Sequence, residues 1–84
     1  MQADQVKEIL NQQLDLEHLA VSGEGNHFEV VAVSEQFASM TRVKKQQVIY
    51  APLKDYIASN EIHALTIKAL SPEEWKAQQK FGQL

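Results

Sequence analysis

Three histidines, His18, His27 and His63, are the residues in this 84-residue sequence best suited to chemistry. A neutral imidazole can ligate a metal, and it can exchange a proton near neutral pH. The sequence contains no cysteine, so the chain cannot supply a thiolate nucleophile or thiolate ligands of its own. Metal sites usually need three or four ligands, so two histidines without a cysteine, such as His27 and His63, cannot close one within the monomer. They could complete a site whose remaining ligands come from a partner.

The positions of the histidines also admit plain structural interpretations. His18, between an acid and a leucine, is most simply a surface residue. His27 directly follows a glycine-rich turn over 22–26 and could be a solvated turn residue. His63 opens a predicted strand and could be half-buried, bonded to a neighbouring backbone group. The residues by themselves leave both structural and ligand roles open for His27 and His63.

Motifs for catalysis are missing from the sequence. Gly23 and Gly25 lie between two predicted strands and not before a helix, so they do not form a phosphate-binding loop. The carboxylates are spread along the chain without an obvious pair for acid–base work. A domain of this size also offers little concavity for enclosing a substrate. We therefore predict that the protein is not an enzyme.

Charge is divided unevenly along the chain. The formal net charge is −3, with −6 over residues 1–40, +4 over 41–54 and −1 over 55–84. The basic segment contains Arg42, Lys44 and Lys45, which are candidate nucleic-acid contacts. Three or four phosphate contacts would give weak, salt-sensitive binding. A solvated helix face and a docking surface for an acidic partner are the other interpretations of this segment.

The elements that must position these residues are predicted in the order α-β-β-α-β-α. Apolar residues spaced three and four apart predict a helix over 3–13. Alternation of β-branched residues predicts a strand over 27–33, with Phe28, Val30 and Ala32 on the face that the helix covers.

Two further strands and two further helices complete the predicted fold. The strands are placed over 16–21 and 62–70, and the glycine-rich turn makes the first two strands antiparallel. Thr41 is a predicted N-cap of a helix that kinks or restarts at Pro52. Ser71 is the predicted cap of the last helix, because a proline and two acids follow it.

These elements predict an α/β (α+β) two-layer sandwich with a three-stranded mixed sheet and helices on one face. The length predicts a single domain over 1–84, with an ordered core of about 3–76. No uncharged run approaches the roughly 18–20 residues of a membrane span, and the first 13 residues do not resemble a secretory signal. We therefore expect a cytoplasmic protein without a membrane partner, monomeric or weakly homodimeric alone.

Three segments together resemble the BolA family, and within it the IbaG-type subgroup. They are the stretch around the glycine-rich turn (23–30), the basic helix with the residues that precede it (37–50), and most of the third predicted strand (62–69). The combined spacing is specific, although no single segment would be, and the match extends from about residue 5 to Trp75. The resemblance implies a class II KH-like fold, consistent with the predicted order of elements.

The resemblance also implies a function in iron–sulfur cluster assembly or trafficking. Family members form heterodimers with monothiol glutaredoxins and share a [2Fe-2S] cluster, which the isolated protein does not hold. The family's ligand histidine at the start of the last strand corresponds to His63, and the second ligand, in the hairpin, corresponds to His27. Thiolates of the glutaredoxin and of glutathione supply the other ligands. Because an imidazole ligand can be protonated, we expect cluster binding to weaken in acid.

A nucleic-acid-binding regulator is the alternative that the resemblance leaves open. The family has been linked to transcription regulation, DNA binding and the stress response, for which Arg42, Lys44 and Lys45 would be the candidate contacts. KH folds clamp single-stranded nucleic acid with a Gly-x-x-Gly loop. The corresponding segment, near residues 39–42, contains no glycine, so this chain lacks that clamp.

Overall fold

A computed structural model describes residues 1–81 of the chain, apart from the side chains of Glu24 and Phe81. It contains the helices α1 (Ala3–Gln13), α2 (Arg42–Tyr50), α3 (Lys54–Ala58) and α4 (Pro72–Phe81), and the strands β1 (His18–Glu24), β2 (His27–Val33) and β3 (Ala64–Leu70). Short 3₁₀ turns span Glu35–Ser39 and Ala51–Leu53. Among these helices none is both long and apolar enough to cross a membrane.

The three strands form one mixed sheet with β2 in the centre. β1 pairs with β2 antiparallel, and β3 pairs with β2 in parallel after the crossover through α2 and α3. Two predicted boundaries are wrong. β1 begins at His18 and continues to Glu24, because the hairpin turn takes only two residues, and β3 begins at Ala64, two residues later than predicted.

The core lies between one face of the sheet and the helices α1, α2 and α3. The prediction that all helices lie on one face is wrong for α4, because Trp75 of α4 stacks on His18, which points to the opposite face from the core residue Leu19. Val6 and Leu10 of α1 are fully buried against the β2 face formed by Phe28, Val30 and Ala32, so the predicted pairing of helix and strand is confirmed. Burying large side chains of this kind typically stabilises a fold by about 1.5–3 kcal/mol each. The core also contains residues from the crossover, namely Phe37, Ile49, Leu53 and Ile62.

Helix boundaries follow the predicted caps. Thr41 Oγ1 accepts a hydrogen bond from the Lys44 backbone N–H at 3.2 Å, which begins α2. Pro52 lies in the 3₁₀ turn that separates α2 from α3, as its missing donor favours. Ser71 caps α4 reciprocally with Glu74, because each donates its backbone N–H to the other's side chain.

Candidate metal-ligating site

His27 and His63 lie side by side at one end of the sheet. Their ring centroids are 6.2 Å apart and the ring planes differ by 22°. His27 is the first residue of β2, and His63 immediately precedes β3. Because β2 and β3 are parallel and in register from His27 and Ala64 onwards, both imidazoles lie at the same end of the sheet.

The backbone of Asn26 fixes the relative position of the two histidines. Its carbonyl oxygen accepts hydrogen bonds from the N–H groups of both His63, at 2.8 Å, and Ala64, at 3.2 Å. Asn26 is also the last residue of the turn that leads directly into His27. One peptide group therefore connects the segment carrying one imidazole to the segment carrying the other.

Two glycines allow the hairpin to bring His27 to this place. Gly25 has a φ of +62°, which suits the first central residue of a two-residue type II′ turn. Gly23 lies in β1, and a Cβ added there would collide with the His27 carbonyl oxygen and come within 2.7 Å of Phe28 Cδ1. The tight approach of β1 to the start of β2 therefore requires glycine at this position.

Both imidazoles are accessible. His27 and His63 are exposed, so the half-buried alternative for His63 is wrong. Within residues 1–81, Glu24's side chain aside, neither ring makes a hydrogen bond to another side chain or to the backbone. A shallow depression of about 340 Å³ beside His27, lined in part by Glu29 and Thr66, leaves room for an approaching partner.

The two histidines do not form a complete metal site. Among the described residues, no group of three or more histidine, cysteine or carboxylate side chains is placed to hold a metal ion. Each tetrahedral iron of a [2Fe-2S] cluster has two ligands besides its two sulfides, so such a cluster has four ligands in all. Among the described residues, the pair could supply at most two of them.

His18 lies apart from this pair. It is exposed, as predicted, and its ring stacks on Trp75 of α4 at a centroid distance of 4.7 Å. His18 pairs with Val33, at the opposite end of β2 from His27. Six residue-to-residue steps along the extended strand separate the two ends by about 20 Å. The stack also brings α4 onto the sheet face that points away from the core.

The basic residues proposed for nucleic acid do not share one helix face. Arg42 and Lys45, three residues apart, both line a groove beside β3, whereas Lys44 lies two residues from Arg42 and outside that groove. Lys45 is largely buried, with 14% of its side chain exposed, and its Nζ lies 3.4 Å from Glu74 Oε1. The three cations therefore do not present a continuous phosphate-binding surface.

Sequence reasoning missed the residues that join these cations to the sheet. Gln46 donates from Nε2 to the Ile67 carbonyl oxygen at 3.0 Å, and Lys68 lines the same groove. The strand alternation indicates that Lys68 is outward-facing, but no sequence signal places Gln46 or Glu74 beside it. The role of Asn26 was missed as well, because it acts through its backbone and not its side chain.

Comparison with known proteins assigns this architecture to a family. A family model described as BolA-like protein matches residues 4–74. The acid stress protein IbaG of Escherichia coli K12 is 49% identical over 82 residues, which cover 98% of each chain. The BolA domain of SufE1 from Arabidopsis thaliana has a TM-score of 0.75 and 31% identity, covering 86% of this chain and 93% of that one. A bol-like protein from Babesia bovis has a TM-score of 0.79 and 28% identity, covering 94% of each chain.

Because the family model spans most of the chain and the match to IbaG nearly all of it, the protein belongs to the BolA family, in its IbaG-type branch.

Proposed function

We propose that this protein is a non-enzymatic adaptor in iron–sulfur cluster assembly or trafficking. In this proposal it forms a heterodimer with a monothiol glutaredoxin, and the two chains share a [2Fe-2S] cluster. His63 and His27 are the ligands from this chain, and thiolates of the glutaredoxin and of glutathione supply the others. The observation that carries the proposal is the exposed pair of imidazoles, 6.2 Å apart and joined through one backbone carbonyl.

The chemistry of the pair supports a shared site over a site within this chain. Imidazoles replace thiolates on one iron in Rieske-type clusters, so histidine is an established ligand for this kind of centre. The chain has no cysteine, and its described side chains offer no third ligand beside the pair. A partner that brings thiolates would therefore complement what this surface lacks.

The resemblance to the BolA family supports unequal roles for the two histidines. Its common ligand histidine, at the start of the last strand, corresponds to His63, whose backbone N–H donates to the Asn26 carbonyl at 2.8 Å. The second ligand, in the hairpin, corresponds to His27, which begins β2 beside the two-residue turn. We therefore assign His63 as the principal ligand and His27 as the second.

Anaerobic reconstitution with a monothiol glutaredoxin, glutathione, iron and sulfide tests this function, with visible circular dichroism of the purified complex as the readout. We expect His63→Ala to abolish the spectrum of the shared cluster and His27→Ala to change its shape or lability. His18→Ala is the matched control, since it removes an exposed imidazole about 20 Å away. An unchanged spectrum in both His63→Ala and His27→Ala would overturn the proposal.

Acid should weaken the bridged complex. A ligating imidazole must be unprotonated, so protonation competes with iron for its lone pair. We expect cluster retention to fall between about pH 8 and about pH 5.5, in the range where histidines ordinarily titrate. This behaviour would suit a role in the acid stress response, which is the role that the name of the E. coli relative states for that protein. A retention curve that stays flat, with the fold intact by far-ultraviolet circular dichroism, would contradict it.

No comparable observation supports the alternative function of a nucleic-acid-binding regulator. Of its three candidate contacts, Lys45 is engaged with Glu74, and Arg42 and Lys44 point to different sides of α2. Charge reversal at Arg42, Lys44 and Lys45 remains the direct test. DNA affinity at physiological salt should be weak and little changed by it, whereas a large loss would favour the regulator.

A further inference from the structure

The second site of interest is a groove at the opposite end of β3 from the histidine pair. This edge groove, of about 450 Å³, lies between α2 and α4, and its floor is the open edge of β3. Its walls include Arg42, Lys45 and Gln46 on one side and Glu74 on the other. Because β3 runs from Ala64 to Leu70, about 20 Å separates its two ends. The edge groove and the histidine pair therefore use different residues of β3 and its surroundings.

The floor of the edge groove carries backbone groups that are not used by the sheet. β3 pairs with β2 on one side only. The Leu70 carbonyl oxygen accepts from the Ser34 N–H on the β2 side, so the backbone groups of the alternate residues Ile67 and Ala69 are directed away from β2, toward the unpaired edge. The hydrogen bond from the Gln46 side-chain amide to the Ile67 carbonyl confirms this orientation. The amide donates to the carbonyl oxygen that would otherwise accept from the N–H of a neighbouring strand. Ile67 is half-buried and Ala69 is buried at the bottom of the groove.

The charge of the edge groove is unbalanced. Three cations line it, Arg42, Lys45 and Lys68, against the single carboxylate of Glu74. That carboxylate already accepts from the Ser71 N–H at 2.9 Å and from Lys45 Nζ at 3.4 Å. Within residues 1–81, Arg42 and Lys68 have no carboxylate partner, and both are exposed. Two free cations therefore flank an open strand edge.

We propose that the edge groove binds a short, extended, acidic peptide segment of a partner protein, which adds to β3 as a fourth strand. The peptide's backbone would pair with Ile67 by displacing the Gln46 side chain, and with the buried Ala69 by opening the Lys45–Glu74 ion pair that joins the two walls. Its carboxylates would contact Arg42 and Lys68. A strand edge gives affinity through main-chain bonds, whereas flanking charges select the sequence. The inference is independent of the cluster, because it uses neither histidine.

The lining favours a peptide over a nucleic acid. Single-stranded nucleic acids are held by aromatic side chains that stack on the bases, together with a cationic track. Among the described residues that line the edge groove none is aromatic, so the groove offers no surface on which bases could stack. The alternating donors and acceptors of a strand edge instead match a peptide backbone.

Fluorescence anisotropy with a labelled hexapeptide of alternating glutamate and valine tests the proposal on the full chain without glutaredoxin. The double variant Arg42→Ala/Lys68→Ala should weaken binding by about tenfold or more. The matched control Lys44→Ala/Lys54→Ala removes the same charge from positions outside the groove and should change affinity by less than about twofold. Equal weakening by both variants, or equal binding of a peptide with lysine in place of glutamate, would overturn the proposal.

Amide hydrogen exchange tests the strand pairing itself. Bound peptide should slow exchange of the Ile67 and Ala69 N–H groups, which face the open edge, and leave inward-facing Lys68 nearly unchanged. Slowing elsewhere but not at these two residues would overturn the proposed mode. Tighter binding of a ten-residue oligothymidine at the same groove would assign it to nucleic acid, and concentration-dependent dimerisation blocked by the peptide would assign it to a second copy. Either result would overturn the partner proposed here.

Discussion

The two ends of β3 are held in different ways. At the histidine end, backbone groups set the geometry: the Asn26 carbonyl and the β2–β3 register place the imidazoles, while the rings themselves are exposed. At the other end, side chains hold the structure, because Gln46 bonds to Ile67 and Glu74 bonds to Ser71 and Lys45. Side chains that the fold does not use remain available for a partner. The comparison therefore separates residues that support the fold from residues that serve binding.

The largest effect should come from disturbing the backbone at the histidine end. Gly23→Ala places a Cβ against the His27 carbonyl and the Phe28 ring, so β1 must shift from β2. We expect a loss of about 1–3 kcal/mol in the free energy of unfolding, measured by urea denaturation. The yield of the bridged cluster should fall in parallel.

Gly25→Ala is the control for this substitution. A Cβ at Gly25 meets nothing within 4 Å, so its cost is the positive φ, about 1 kcal/mol. If Gly23→Ala were no more destabilising than Gly25→Ala, the close approach of β1 would not be what positions His27.

A smaller, pH-dependent effect is expected at the groove end. The backbone N–H of Ser71 lowers the pKa of Glu74 below its ordinary value of 4.5, and Lys45 adds to the effect. A lowered pKa in the folded state means that this stabilisation is present above pH 4.5 and is lost as the pH falls through the lowered value. Glu74→Ala should therefore cost about 0.5–1 kcal/mol at neutral pH, because solvent screens a half-exposed carboxylate, and much less in strong acid.

The neighbouring acid of the same helix provides the comparison. Glu73 lies in the first turn of α4 and is exposed. Glu73→Ala should cost only a few tenths of a kcal/mol, about what an exposed charge near a helix N-terminus contributes. Equal costs for the two substitutions across the pH range would show that the reciprocal cap does not stabilise α4.

Gln46→Ala should have a modest effect on stability. It removes the bond to the Ile67 carbonyl, and a typical partly exposed hydrogen bond contributes about 0.5 kcal/mol. Gln47→Ala, at an exposed position of the same helix, isolates this bond from helix propensity. The two variants should differ in urea midpoint, and identical midpoints would show that the bond is not maintained in solution.

The smallest stability effects should be at the imidazoles. His63→Ala and His27→Ala each remove an exposed ring without a hydrogen bond to the described side chains or backbone, so each should change the free energy of unfolding by less than about 0.5 kcal/mol. Thermal and urea unfolding of the apoprotein measure this directly. A loss above about 1 kcal/mol would mean that the ring stack itself stabilises the sheet.

The sequence predicted the individual helices and strands better than the contacts between them. Alternation at Phe28, Val30 and Ala32 identified both the strand and its buried face, since burial on one side imposes that period directly. The neighbourhood of His27 and His63 depends on which strands pair and in which register, across 36 positions of chain. A short stretch of sequence around either histidine does not reveal which distant strand it pairs with. Only the resemblance to a family connected the two residues beforehand.

The groove end shows a second reason for missed residues. Ser71 and Thr41 were predictable as caps, because capping is local in sequence. The contacts of Lys45 with Glu74 and of Gln46 with Ile67 span 29 and 21 positions. They depend on the packing of two helices beside one strand edge, and the residue types alone are compatible with ordinary solvated surfaces.

The hydrogen bonds that the Asn26 carbonyl accepts from His63 and Ala64 restrict how this hairpin can change in evolution. Replacing a turn side chain leaves that carbonyl in place, so the chemical character of residue 27 can vary freely. Inserting or deleting a turn residue would move the carbonyl away from both amides and shift the start of β3. The hairpin should therefore tolerate exchange of the side chain at position 27 while keeping a constant length.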